Sequence, residues 1–269
     1  GDGGGLADCT GPILENVITG NSAGGTTGAG GGLYNCDGEI RGNTIAGNEA
    51  DAVRSRGGGL ADCDGAIEQN VIEDNWALAL GEDPRGGGLS ACNGSIHRNV
   101  IARNVAASPN GYHGHGGGLA DCAGTIANNL IHDNFALMGD GGGLNNCDHA
   151  VFNNTVWGNM AASGGGMAGC DGAIRNCIVW DNFTLSGEQV AASTAPAYCC
   201  IEGWTGGGVG NLTGNPHLAD PGQGDFHLNG LSPCIDAGGT VPLALDFEGD
   251  PRPWSFLGAP LGAGSGMDI

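Results

Sequence analysis

The chain has 269 residues and a net charge of −21, with eight arginines and no lysine, so nucleic acids and acidic membrane surfaces are poor partners for it. Glycine contributes 57 residues without a three-residue period, which excludes collagen, and no run of 18 apolar residues is available to span a membrane. The acidity suits a calcium-rich exterior, or serves only to keep a glycine-rich repeat in solution.

The first predicted unit is built around Cys9. Six more follow around Cys36, Cys63, Cys92, Cys122, Cys147 and Cys170, at spacings of 27, 27, 29, 30, 25 and 23 residues. Three residues before each cysteine stands a leucine, or Met167 in the seventh copy, preceded by two or three glycines. Four and nine residues after it stand Ile or Val. Asn16, Asn43, Asn70, Asn99, Asn129 and Asn154 follow at seven, with Cys177 in the last copy. Asn21, Asn48, Asn75, Asn104, Asn134, Asn159 and Asn182 follow at twelve in every copy.

A period of this size marks a stack of identical supersecondary units. No copy offers the spacing of an amphipathic helix, whereas short β-branched runs between Gly, Asn and Asp give strands and turns. The expected fold is all-β, a single right-handed parallel β-helix of about eight coils over residues 1–202. Equivalent side chains then lie over one another at the strand spacing of about 4.8 Å. The aliphatic positions fill the interior. The asparagines are expected at the bends, where Asn tolerates a left-handed backbone and its amide bonds to the next rung.

The seven cysteines of the ladder are read as small buried thiols, with adjacent-rung disulfides as the alternative. Cys177 and Cys200 lie one coil apart and are the first choice for a disulfide, with Cys199–Cys234 as a second. No spacing of Cys and His suggests zinc or haem.

The copies differ freely between the second asparagine and the next glycines, over 22–29, 49–56, 76–85, 105–115 and 135–140. Such inserts leave one corner of every coil and line one edge of the solenoid. Arg54, Arg56, Arg85, Tyr112, His113 and His115 gather there, giving a candidate, partly cationic binding edge for an acidic glycan or a partner. After Asn182 the pattern fades, and residues 203–269 are expected to pack irregularly on the last coils as part of the same domain.

The unit GGGL…CDGxI…NxIxxN resembles the right-handed parallel β-helix repeats of secreted and cell-surface bacterial proteins, including the polymorphic outer-membrane protein repeats. Asn215-Pro216-His217, SPCIDAG (232–238) and DFEGDPRP (246–253) resemble the closing module of surface-anchored members. The resemblance implies export, removal of a signal that is not part of this sequence, and an extracellular or cell-surface location.

The leading functional expectation is a non-enzymatic structural protein that forms a surface layer, a matrix or a head-to-tail filament, with residues 262–269 completing the edge of the next subunit. One alternative is an adhesin or glycan-binding module using the loop edge. Another is a polysaccharide lyase or hydrolase of β-helix type. A lyase needs a base with calcium or arginine, and a hydrolase needs clustered carboxylates, but the acidic residues here recur from coil to coil. No catalytic residue and no cofactor is assigned. Ca2+ is kept open at turns such as Asp62-Cys63-Asp64, although GGGLADC departs from the calcium-binding nonapeptide at Leu60.

Overall fold

Each coil contributes four short parallel strands, for example Leu60–Ala61, Ile67–Glu68, Val71–Glu73 and Trp76–Ala79. Equivalent strands of successive coils pair in register and build four sheets that wind into one solenoid of about seven turns. The structure, a computed structural model, describes residues 1–185 and 187–251. The expected eighth coil is incomplete. Val190–Ala191 joins the first sheet and Cys200–Ile201 the third, while the second and fourth sheets stop at the seventh coil. Among the described residues no helix is long and apolar enough to cross a membrane.

Four corners turn each coil, and each is made by one residue with positive φ. In the third coil these are Gly57 (60°), Asp62 (54°), Gln69 (55°) and Asp74 (55°). The last three stand immediately before Cys63, Asn70 and Asn75. The expectation that the asparagines themselves take the left-handed conformation is therefore corrected. The preceding residue turns the chain, and the asparagine, back in ordinary geometry, points inward. Its value lies in its amide. Asn70 Oδ1 accepts the backbone N–H of Asn43 at 2.9 Å and its Nδ2 at 3.0 Å. Asn70 Nδ2 donates to Ile40 O at 2.9 Å and Asn99 Oδ1 at 3.0 Å. A buried amide with both donors and its acceptor satisfied stabilises, whereas the same group unpaired is costly.

The second asparagine column repeats this scheme from Asn21 to Asn182. It ends on Gln189, whose Oε1 accepts from Asn182 N at 3.2 Å and Nδ2 at 2.8 Å. Leu60, Ile67 and Ile72 and their equivalents in the second to sixth coils are fully buried and belong to one continuous core. The thiols of Cys36, Cys63, Cys92, Cys122, Cys147 and Cys170 lie in that core. Each donates to the carbonyl two residues back, as Cys63 does to Ala61 O at 3.4 Å.

The fourth sheet is built differently. Its inward residues are alanines, among them Ala50, Ala77, Ala106 and Ala136, because the returning chain lies directly against it. A methyl group on Gly58 would sit 2.5 Å from the backbone of Trp76 and 2.5 Å from Gly87 O. Only glycine permits this approach, so the triplets pinch the coil and the fourth sheet stands out as a thin, alanine-filled fin. Coil length changes only in this fin. The first three sheets keep their register throughout, from Leu6↔Leu33 to Met167↔Val190 in the first.

Residues 203–251 cover the outside of the third sheet and the corner before it. Leu218–Asp220 and Asp225–Leu228 form an antiparallel hairpin. Leu218 and Leu228 pack on Ile178, Cys200 and Cys234. The Phe226 ring lies 5.1 Å from His132 and 5.9 Å from Trp157. Beyond the hairpin, Asn176 and Gly239 exchange two hydrogen bonds, Asn128 Nδ2 donates to Leu245 O, and Arg98 Nε donates to Phe247 O. The segment thus starts on the last coils but runs back to the fourth, farther than expected, as a strap along the solenoid.

Candidate functional site

Widening of the fin in the first coils creates a groove of about 350 Å³, lined by Thr27, Arg54, Ser55, Arg56 and Arg85 together with Asp2, Glu82 and Asp83. The eight-residue strands Ser22–Ala29 and Glu49–Arg56 form its floor. Tyr112 lines an adjoining recess of about 300 Å³ with Gly81, Glu82, Asp83 and Arg85. Arg56, Arg85 and His115 stand on successive rungs in parallel bridges. His113 is exposed and contributes its backbone N–H to Asp83 Oδ1 at 2.9 Å. Four of the six expected edge residues, Arg54, Arg56, Arg85 and Tyr112, therefore border one continuous depression.

Its charge differs from the expectation. Arg54 pairs with Glu82 at 2.6 Å, Arg56 with Asp62 at 2.8 Å, and Arg85 with Asp121 at 3.0 Å. The cationic edge is corrected to a neutralised one. On a strongly acidic surface each of these three guanidiniums finds a carboxylate one rung away or closer. Burial pushes the Asp62 carboxyl above its ordinary range, and the Arg56 guanidinium offsets this only in part. Burial holds the His115 imidazole below its usual value despite Asp140 at 3.7 Å and Asp83 at 3.9 Å, so it is neutral at pH 7.

The acids that follow the cysteines serve the backbone. Asp37 Oδ1 accepts from Asp64 N at 3.1 Å, Asp64 Oδ1 from Asn93 N at 2.9 Å, and Asp148 Oδ1 from Asp171 N at 3.1 Å. Among the described residues no group of three His, Cys, Asp or Glu side chains is placed to hold a metal ion.

The disulfide expectations fall on the wrong partners. Ile178 is in register with Cys200, so Cys177 faces Cys199 in the core, where Cys177 N donates to Cys199 Sγ at 3.3 Å. Alternate residues of a strand face opposite sides, so Cys200 points outward and packs with Cys234 of the strap. All eleven cysteines are thiols in this structure.

No family model, no curated protein and no solved structure matches the chain.

One surface escaped the sequence reading. The residue after each second-ladder asparagine starts the fourth sheet and points outward, in the series Ser22, Glu49, Trp76, Val105, Phe135, Met160 and Phe183. Its fixed offset of thirteen residues from the ladder cysteine was readable. It was passed over because it opens the variable insert.

Proposed function

We propose that this chain is a non-enzymatic, extracellular building block, a stiff solenoid that associates end to end in a surface layer, matrix or filament. One observation carries the reading: the recurring asparagines of both columns, and aspartates that follow the cysteines such as Asp37, Asp64 and Asp148, are already engaged in rung-to-rung hydrogen bonding. Groups held this way are architectural and are not themselves available as acid or base for chemistry. The arginines of the groove are likewise paired with carboxylates.

The first coil presents Leu6 at 39% and Val17 at 73% exposure, and another rung, from a neighbouring copy or from more of the same chain, would meet the same side-chain rows. Residues 262–269, expected to complete such an edge, lie outside the described residues. Electron microscopy and sedimentation of the purified protein over a concentration series, with and without calcium, test the reading. Rods longer than one solenoid are the expected result. A strictly monomeric species at the highest concentration with calcium present overturns it.

A further inference from the structure

The outward row of the fourth sheet changes character at the third coil. Ser22 and Glu49 are polar, whereas Trp76, Val105, Phe135, Met160 and Phe183 carry no charge over five successive rungs. Trp76, Met160 and Phe183 are 44%, 42% and 55% exposed. A continuous apolar row on a protein of charge −21 marks an interaction surface. Its aromatic members alternate with aliphatic ones. Trp76, Phe135 and Phe183 are separated by two rungs each, about 9.6 Å at the strand spacing of about 4.8 Å. The paired backbones beneath fix that interval.

We propose that this row binds a neutral, extended β-1,4-linked polysaccharide lying parallel to the solenoid axis, with alternate sugars stacked on Trp76, Phe135 and Phe183. In such a polymer successive sugars are flipped, so every second ring presents the same apolar face, at an interval close to two rungs of a β-sheet. Aromatic rings at that interval, with low aliphatic residues between, match the ribbon without any need for a deep pocket. The row offers no cation, and the surrounding acidity repels uronic-acid polymers, so the ligand is uncharged. The same acidity opposes face-to-face docking of a second copy of this chain. The proposal is independent of end-to-end association, because the row runs along the side of the solenoid.

The test is co-sedimentation of the full chain with microcrystalline cellulose and with chitin, using soluble polygalacturonate as the charged comparison. The same measurements are made on Trp76→Ala/Phe135→Ala and on Trp76→Tyr, each checked for an unchanged thermal transition. Retention on cellulose, chitin or both, weakened about tenfold in the double variant and largely kept in Trp76→Tyr, is expected, each aromatic contact being worth a few-fold in affinity. The choice of polymer identifies the sugar. Any of three results overturns the proposal: no retention on either neutral polymer, retention equal in the double variant, or preference for polygalacturonate. Self-association abolished by the double variant would also overturn it, assigning the row to a second copy.

Discussion

Asn75 directs both its backbone N–H and its side-chain Nδ2 at a single atom, Oδ1 of Asn104, at 3.1 and 3.0 Å. Its own Oδ1 receives the same pair from Asn48, and Nδ2 also donates to Ile45 O at 2.9 Å. Asn75→Ala therefore removes bonding partners from both adjacent coils in a fully buried place and should cost about 3 kcal/mol. Asn75→Asp should cost more, since it turns a carboxylate toward two acceptors. Asn21→Ala, in the half-buried first coil, should cost about 1 kcal/mol. Urea unfolding midpoints give the order.

Gly58→Ala sets a methyl group against the backbones of Trp76 and Gly87, neither of which has a flexible end to yield. A loss of about 3 kcal/mol or failure to fold is expected. Gly11→Ala meets nothing within 4 Å and should leave the thermal midpoint within about 2 °C.

The thiols should divide sharply in reactivity. Cys9 is half-buried, while the other ten are buried. Hydrogen bonding to neighbouring thiols, then burial, holds Cys92 and Cys147 well above the usual thiol range, which suppresses thiolate. A maleimide added to the native reduced protein should label Cys9 quickly, and the rest only at the rate of unfolding. Fast labelling of Cys92 on peptide mapping would contradict this.

The end of the strap carries a pH-dependent clasp. His227 binds Asp225 at 2.6 Å and Glu248 at 3.0 Å, and these hydrogen bonds raise its imidazole above the ordinary value of 6.5. Its contribution is complete below about 6.5 and is lost as pH rises through the raised folded value. Asp225, lowered by the same contact, adds a second limb, lost as pH falls through its depressed value. Amide protection of residues 246–250 should therefore peak in mildly acidic solution and decline on both sides, with a small amplitude because the groups are exposed. His227→Gln should remove the alkaline limb.

Asn176→Ala removes the reciprocal bonds with Gly239, at 2.7 and 2.9 Å, in a fully buried position. The strap should then be cut by protease within 203–251 at every pH, while the solenoid keeps its β-sheet circular dichroism.

The solenoid was legible because its ladder positions are the ones where one side chain suffices: Leu60, Cys63, Ile67, Asn70, Ile72 and Asn75 recur in every neighbour with little change. The corners were not legible, because the left-handed position before each asparagine accepts Gly, Asp, Gln or Arg, as at Gly42, Asp74, Gln69 and Arg98. Identity there varies while conformation does not. The pairing of Cys177 depended on a one-residue difference in register between Cys199 and Cys200, which spacing along the chain does not resolve. The arginines were visible, but their neutralisation was not, since Arg85 meets Asp121 across 36 residues. The return path of the strap rests on single contacts at Arg98, Asn128 and Asn176 that no periodicity announces.

The second asparagine column also has an electrical consequence. Each amide from Asn21 to Asn182 turns an N–H toward the next coil, the last of them meeting Gln189 Oε1, and from Asn48 onward each oxygen faces the previous coil. Aligned amide dipoles add, as they do in a helix. The column is thereby a small permanent magnet's electrical counterpart, more positive toward the last coil. Two such bodies placed in line attract when their polarities agree and repel when they oppose, so any fibre they form inherits a direction before a single interfacial contact is made.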